Sequence, residues 1–253
     1  MNAPEPRFFT STDGTRLAWR EMGQGFPVVL IHGLFSSSVI NWIKYGAAAE
    51  IAGRGFRVIM PDLRAHGDSD KPHDAASYPA DILMDDAFAL IDHLALAPGD
   101  YDLGGYSLGG RTVVRMLANG ARPRRAVIAG MGLEGLLATG TRAAHFRHVL
   151  RHIDDHPRGS PEWMAAQFLK TTGGDPQALL PLLDSFVDTP EEALHGIQTP
   201  TLIVAGEDDD DNGSAGDLAA LLPDARCQAV PGNHMSAVTM PELGRTIADF
   251  LSA

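Results

Sequence analysis

Short β-branched runs, several of them apolar at every consecutive position, recur along this chain with longer helical patterns between them. They are PVVLIHG (27–33), FRVIMPD (56–62), YDLGGYS (101–107), RAVIAGM (125–131), PTLIVAG (200–206) and CQAVPG (227–232). Successive side chains of a strand point to opposite faces, so a run that is apolar throughout must be covered on both sides. The intervening DILMDDAFALIDHLAL (81–96), LGGRTVVRMLANG (108–120) and PELGRTIADFLSA (241–253) carry helical periodicity and supply that cover. The alternation predicts an α/β fold: a mostly parallel central sheet, helices on both faces and right-handed crossovers. RFFT (7–10) and TRLAWREMG (15–23), joined by STDG, predict an antiparallel hairpin on one edge. With 253 residues, 44% of them hydrophobic, the chain can bury one large core.

One region breaks the rhythm. Residues 132–198 offer no convincing strand and read as several helices, broken at HPRGSPEW and TTGGDP and ending near DTPEEALHG. We therefore expect a core domain of residues 1–131 and 199–253, with 132–198 as a helical cap insertion. Falling between two core strands, the insertion would emerge where strands end, which is where open α/β sheets bind ligands.

Charge and cysteine content narrow the partners. Twenty Lys and Arg against 32 Asp and Glu give a net charge of −12, a field that repels nucleic acid and anionic membrane surfaces. No window approaches the roughly 18 apolar residues of a membrane span, and the opening MNAPEPRFFT lacks the basic start and apolar stretch of an export signal. The lone Cys227 allows no disulfide framework, so a cytoplasmic location is the simplest expectation and the periplasm stays open. Nothing in the sequence sets an oligomeric state.

Between a predicted strand and a predicted helix lies Gly105-Tyr106-Ser107-Leu108-Gly109, a G-x-S-x-G pattern. The bare pattern is weak, but its context is not. A sharp strand-to-helix turn holds its apex residue in strained backbone geometry and pushes the side chain outward, and flanking positions must be small to avoid collisions. Gly105 and Gly109 meet that need. A phosphate cradle is disfavoured, because both the G-x-G-x-x-G spacing and the Walker lysine are missing.

Together these stretches resemble the α/β-hydrolase family over nearly the whole chain. LIHGLFSSSVINW (30–42) resembles its His-Gly stretch and PDLRAHGDSDKP (61–72) its D-x-R-G-H-G-x-S loop, with Ala65 where a glycine is usual. LIVAGEDD (202–209) resembles the strand that ends in the triad acid, and VPGNHMS (230–236) the histidine loop. The order Ser, Asp, His also agrees. The resemblance implies catalytic Ser107, Asp209 and His234, with Asp209 selected by the G-x-x-D spacing from Gly206. It also implies an oxyanion hole made by the backbone N–H groups of Leu34 and Leu108. Glu134, after the strand that follows the serine, stays open as a substitute acid.

The chemistry supports those residue types. A serine hydroxyl attacks at neutral pH only with a base to take its proton, and histidine suits that task. His32 is expected to tie down its loop. Phe35, Tyr106 and Trp163 are candidate substrate-binding residues, with Leu133, Leu136, Phe146, Met164 and Phe168 as further apolar candidates for a pocket roof. No metal or cofactor is expected. The histidine stripe of His145, His148, His152 and His156 reads as the wetter side of an amphipathic helix, and no cysteine accompanies it. Asp208, Asp210, Asn212 and Gly213 mimic half of a calcium loop, but Ala219 stands where a bidentate carboxylate is needed.

Serine rather than aspartate at residue 107 favours acyl chemistry over halide displacement or epoxide opening. A serine hydrolase acting on a small, largely apolar carboxylic ester or lactone is the first expectation. Carbon–carbon hydrolysis, thioester cleavage, perhydrolysis and a non-catalytic small-molecule receptor stay open on the same fold.

Overall fold

The computed structural model describes residues 3–253, so Met1 and Asn2, at the head of the opening stretch, lie outside it. Eight strands form one sheet: β1 (Arg7–Thr10), β2 (Arg16–Met22), β3 (Phe26–Ile31), β4 (Phe56–Pro61), β5 (Asp102–Tyr106), β6 (Ala126–Ala129), β7 (Thr201–Gly206) and β8 (Ala225–Val230). Their order across the sheet is β1-β2-β4-β3-β5-β6-β7-β8. β1 and β2 are the expected edge hairpin, and β2 pairs antiparallel with β4. Every other pairing is parallel.

Alternate residues of the central strands enter two different cores. Val28, Leu30, Val58, Met60, Val127, Ala129, Leu202 and Val204 pack on one face, against α1 (Ala47–Gly53) and the closing helix α10 (Pro241–Ser252). Val29, Ile31, Ile59, Leu103, Ile128 and Ile203 pack on the other, with α2 (Ile82–His93) and α3 (Leu108–Ala118). This two-sided burial is why the strands are apolar at consecutive positions. The edge strand β8 differs, being exposed along most of its length. It starts two residues earlier than its apolar pattern suggests, because an edge strand gains from backbone pairing with β7 rather than from burial.

Between β6 and β7 the chain runs through α4 (Glu134–Leu137), α5 (Thr139–Arg151), α6 (Pro161–Thr172), α7 (Pro176–Leu182) and α8 (Glu191–His195), and α9 (Ala215–Leu221) follows β7. Ser160 caps α6 by accepting from the Trp163 N–H, and Asp175 caps α7 from Gln177 and Ala178, each with proline in the first turn. These caps sit where the sequence shows its breaks. Leu136, Leu150, Leu169, Leu179 and Leu194 join the same apolar cluster as the sheet face beneath them, so the helical segment has no separate core. Among the described residues no helix is long and apolar enough to cross a membrane.

The chain leaves β3 for β4 on one side and returns to β5 on the other. The carboxyl ends of β3 and β5 therefore flank a crevice at the point where strand order reverses. His32-Gly33-Leu34 and Ser107 lie at those ends.

Candidate active site

Ser107 joins β5 to α3 with φ 53° and ψ −114°, a backbone region that L-residues rarely occupy and that costs about 1–3 kcal/mol. Two hydrogen bonds hold it there. Its N–H donates to the Ala129 carbonyl at 2.7 Å, and its own carbonyl accepts from Arg111 N–H at 2.9 Å. The flanking glycines permit the turn: a Cβ on Gly105 would run into the Gly109 carbonyl group, and one on Gly109 into the carbonyl of Ile31. Since both obstacles are backbone, Gly109→Ala is expected to destabilise the protein by at least about 1–3 kcal/mol. Thermal unfolding checks this, and a wild-type melting temperature would contradict it.

His234 and Asp209 reach Ser107 from the two strands on the far side of β6. His234 Nε2 lies 2.9 Å from Ser107 Oγ, and its Nδ1 lies 2.9 Å from Asp209 Oδ2. A carboxylate can only accept, so Nδ1 carries the proton and Nε2 accepts from the serine hydroxyl. The row is nearly dry, with side-chain exposures of 10% for His234 and 3% for Asp209. Asp209 is fixed by its N–H to Gly206 O and by Oδ1, which accepts from Asp211 N–H at 3.1 Å. The histidine loop turns on Asn233, whose Oδ1 accepts from the amides of Met235 and Ser236, and the Tyr106 hydroxyl donates to the His234 carbonyl at 2.6 Å. Glu134 stands outside this row, its Oε2 accepting the Ser214 N–H at the start of α9.

Opposite the histidine, the chain after β3 passes close to the serine. A Cβ on Gly33 would lie 3.3 Å from Ser107 Cβ, and the Gly33 N–H donates to Asn41 Oδ1 at 3.0 Å from a π-helical turn over Val39–Ile43. Among the described residues neither the Leu34 nor the Leu108 N–H has a protein acceptor, which leaves two donors beside Ser107. Two buried histidines clamp this loop. His32 donates from Nδ1 to Gly33 O and accepts Leu63 N–H at Nε2, while His66 donates to Arg64 O and accepts Phe35 N–H. Burial pulls His32 below its ordinary value and His66 down to about 3, so both stay neutral. Ala65 takes the left-handed backbone, φ 68°, that the usual glycine would hold.

These histidines set an acid limit on stability. Between about 6.5 and 3 the unfolded chain binds a proton at residue 66 that the folded chain excludes, so stability falls as pH drops, by about 1.4 kcal/mol per pH unit. Urea unfolding at pH 7, 6 and 5 reads that slope. His66→Gln is expected to flatten it, and parallel wild-type and variant curves would refute the assignment.

The sequence model of the alpha/beta hydrolase family matches residues 28–243. The chain belongs to this family. Among curated proteins it is 29% identical over 97% of its length to a non-heme haloperoxidase of Rhodococcus erythropolis, covering 99% of that protein. It is 32% identical to the 2-hydroxymuconate semialdehyde hydrolase of a Pseudomonas strain over 51% of this chain, a stretch spanning only 45% of that relative. Solved structures share the fold. An esterase from Thermogutta terrifontis superposes with a TM-score of 0.78 at 23% identity, each chain covered to 98%. The enol-lactonase of Burkholderia xenovorans gives 0.74 at 21%, covering 98% of this chain and 100% of the other.

In this α/β-hydrolase three spaces meet at Ser107. A cleft of about 690 Å³ is lined by Phe35, His145, Phe146, Met164, Phe168 and His234 among others. A pocket of about 80 Å³ on the other side is lined by Ile40, Tyr45, Tyr106, Met235 and Val238. A slot of about 20 Å³ runs inward past Leu34 and Leu108 to Arg111 and Phe186. Among the described residues the large apolar side chains that stay exposed, Tyr45, Met164 and Met235, all line the cleft or the pocket.

Trp163 does not line the cleft, contrary to expectation. Pro161, Met164, Ala165 and Phe168 repeat at helical spacing on the face of α6 that does, and Trp163 is rotated about 100° from Met164. Leu133 and Leu136 likewise pack into the core cluster instead of roofing the cleft. Tyr106 lends its ring to the small pocket, but its hydroxyl is occupied by the histidine loop. In the histidine stripe His145 faces the cleft, while the His148 ring packs 4.9 Å from His152 and 5.4 Å from His156. Among the described residues no three His, Cys, Asp or Glu side chains are grouped to hold a metal, and Asn212 turns inward to donate to Gly130 O. Sequence reasoning missed Arg111, Arg142, Asn41 and the clamp His66. Two carried a signal: His66 is the histidine of the PDLRAHGDSDKP loop, and Arg111 is a basic residue one turn after the serine.

Proposed function

We propose that the protein is a serine hydrolase that cleaves a carboxylic ester or lactone through an acyl-enzyme on Ser107. The observation that carries this reading is the hydrogen-bonded row from Ser107 Oγ through His234 to Asp209, both links 2.9 Å. As Oγ attacks the carbonyl carbon, its proton passes to Nε2, and Asp209 holds the imidazole in register and stabilises the resulting imidazolium. The carbonyl oxygen becomes an oxyanion that accepts from the Leu34 and Leu108 N–H groups, each such donor contributing about 10²–10³ in rate. The imidazolium then protonates the departing alkoxide. Water, deprotonated by His234, attacks the acyl carbon and releases the acid and Ser107.

The two spaces on either side of the serine suit the acyl and alcohol parts of a small substrate, and the exposed Tyr45, Met164 and Met235 at their walls suit apolar portions of it. The helices α4–α8 act as a cap over the wide cleft in this reading. Esterases and an enol-lactonase among the structural relatives support the same bond type. The test is p-nitrophenyl acetate. Many turnovers per molecule, with an acetyl group trapped on the Ser107 peptide by acid quench, are expected; stoichiometric binding without turnover would make the fold a receptor and end the proposal.

A further inference from the structure

We propose that Arg111 binds an anionic oxygen group of the substrate, so that the preferred ester or lactone carries its own carboxylate. This rests on the serine-hydrolase reading above and adds the substrate's charge to it.

Arg111 sits on α3 four residues after Ser107, and only 7% of it is exposed. The other buried arginines have carboxylate partners, Arg20 with Asp62 and Asp68 and Arg64 with Asp13 and Asp86, and so does half-buried Arg115 on the same helix, with Asp81. Arg111 has none among the described residues. Its Nε donates to Gly135 O at 3.2 Å, and its guanidinium lies 5.0 Å from the Phe186 ring centre. The carboxylate it feels most, Asp188, forms no ion pair with it; Asp188 Oδ1 accepts from the amide and hydroxyl of Thr139, both at 2.7 Å. Burial and the neighbouring Arg142 weaken its hold on its proton, to about 10, which leaves it fully charged at neutral pH. A largely buried guanidinium that no carboxylate hydrogen-bonds is destabilising, and an anion that paired with its free Nη donors would offset that cost.

Arg111 borders two small spaces, one beside Asp81, Arg115 and Phe186 and one that reaches Ser107. Arg111 lines the inward slot together with Leu34, Ser107, Leu108 and Arg142, and the slot shares Leu34, Ser107, Arg142 and Phe146 with the wide cleft. It is therefore a side branch that opens beside the nucleophile. About 20 Å³ holds one group the size of a water or a carboxylate oxygen, which fits the head of a substrate and not its body. Arg142 adds a second cation at the mouth, with its charge shared with Asp211 at 3.1 Å. Asp208, Asp210 and Asp211 line the cleft but not the slot, so one anion is drawn inward and a second on the cleft side is repelled. A planar guanidinium pairs with a carboxylate through two parallel hydrogen bonds, which fixes orientation as well as charge.

The experiment compares p-nitrophenyl half-esters of succinic, glutaric and adipic acid with the p-nitrophenyl esters of butyric, valeric and caproic acid. For the best-fitting chain length, wild-type kcat/KM is expected to favour the anionic member by about 10- to 100-fold, the size of a hydrogen bond to a charged group. Arg111→Gln is expected to bring that ratio to 1 or below, and Arg111→Lys to leave it intermediate. A wild-type ratio of 1 or less at every length, or a ratio unchanged in Arg111→Gln, would overturn the proposal. If Arg111→Gln does not fold, the wild-type protein decides. Glutarate is expected to inhibit p-nitrophenyl acetate turnover at a concentration at least tenfold below valeramide, and equal potency would overturn the assignment. Absence of any ester turnover would fail the serine-hydrolase reading instead. In that case a rise in melting temperature with glutarate and not with valeramide still supports the anion site, and no rise overturns it.

Discussion

Ser107→Ala is expected to lower kcat for an activated ester by about 10⁴- to 10⁶-fold while leaving the melting temperature within a few degrees of wild type. The hydroxyl is the only group lost, and its hydrogen bond to His234 Nε2 is at the lip of a cleft that water can fill. Loss of a nucleophile removes the covalent route altogether, so the residual rate is what the amide donors and binding alone provide. Asp209→Asn is the companion change. An asparagine at residue 209 retains the shape but can present an N–H to His234 Nδ1, which favours the wrong tautomer and leaves Nε2 protonated and unable to accept from the serine. We expect about a 10⁴-fold loss in kcat, and the double variant to be little worse than Ser107→Ala because the residues work as one unit. Additive losses, or an Asp209→Asn enzyme within tenfold of wild type, would show that the carboxylate does not orient the base.

The second large effect concerns stability. Arg64 is fully buried and hydrogen-bonds through all three guanidinium nitrogens: Nε and Nη2 grip both oxygens of Asp86 at 2.9 and 2.7 Å, and Nη1 reaches Asp13, Thr15 Oγ1 and the Ser77 carbonyl. Replacing it with methionine leaves the Asp86 carboxylate buried with only the Ser11 hydroxyl as partner. Burial already pushes Asp86 above the usual carboxylate range, so the unpaired charge is costly. Breaking one side of a buried pair costs about 3–5 kcal/mol, or roughly 6–20 °C in melting temperature for a chain of this size. Arg64→Met combined with Asp86→Leu is expected to recover much of that loss, since no stranded charge remains. A double variant as unstable as the single would disprove the account. Activity should fall as well, because the loop anchored by Arg64 also carries Leu63 and His66, which hold His32 and the Phe35 amide beside Ser107.

Much of this architecture is readable from residue order. Runs such as PVVLIHG predict strands buried on both faces, and β3 has that burial, with alternate residues in two cores. The hairpin of β1 and β2 and the helical breaks near residues 152–160 and 173–175 also follow from local chemistry, namely turn residues, caps and prolines that act within a few positions of one another. Short elements were harder to read. The helix over Ala47–Gly53, the one over Ala215–Leu221 and the π-helical turn at Val39–Ile43 have too few residues for a periodic signal; the first is held by α10, the second by β7 and β8, and the turn by the first helix.

Sequence by itself therefore determined the alternation of strands and helices, the sharp turn that needs glycine at 105 and 109, and the residue types available for acyl chemistry, because each depends on neighbours along the chain. Only the tertiary structure decided which carboxylate faces His234, which face of α6 lines the cleft and that Arg111 is buried with no carboxylate paired to it among the described residues. Asp209 and Glu134 are chemically alike, and Trp163 and Met164 are adjacent. What separates them is direction in space, which is set by strands and helices brought together from distant parts of the chain.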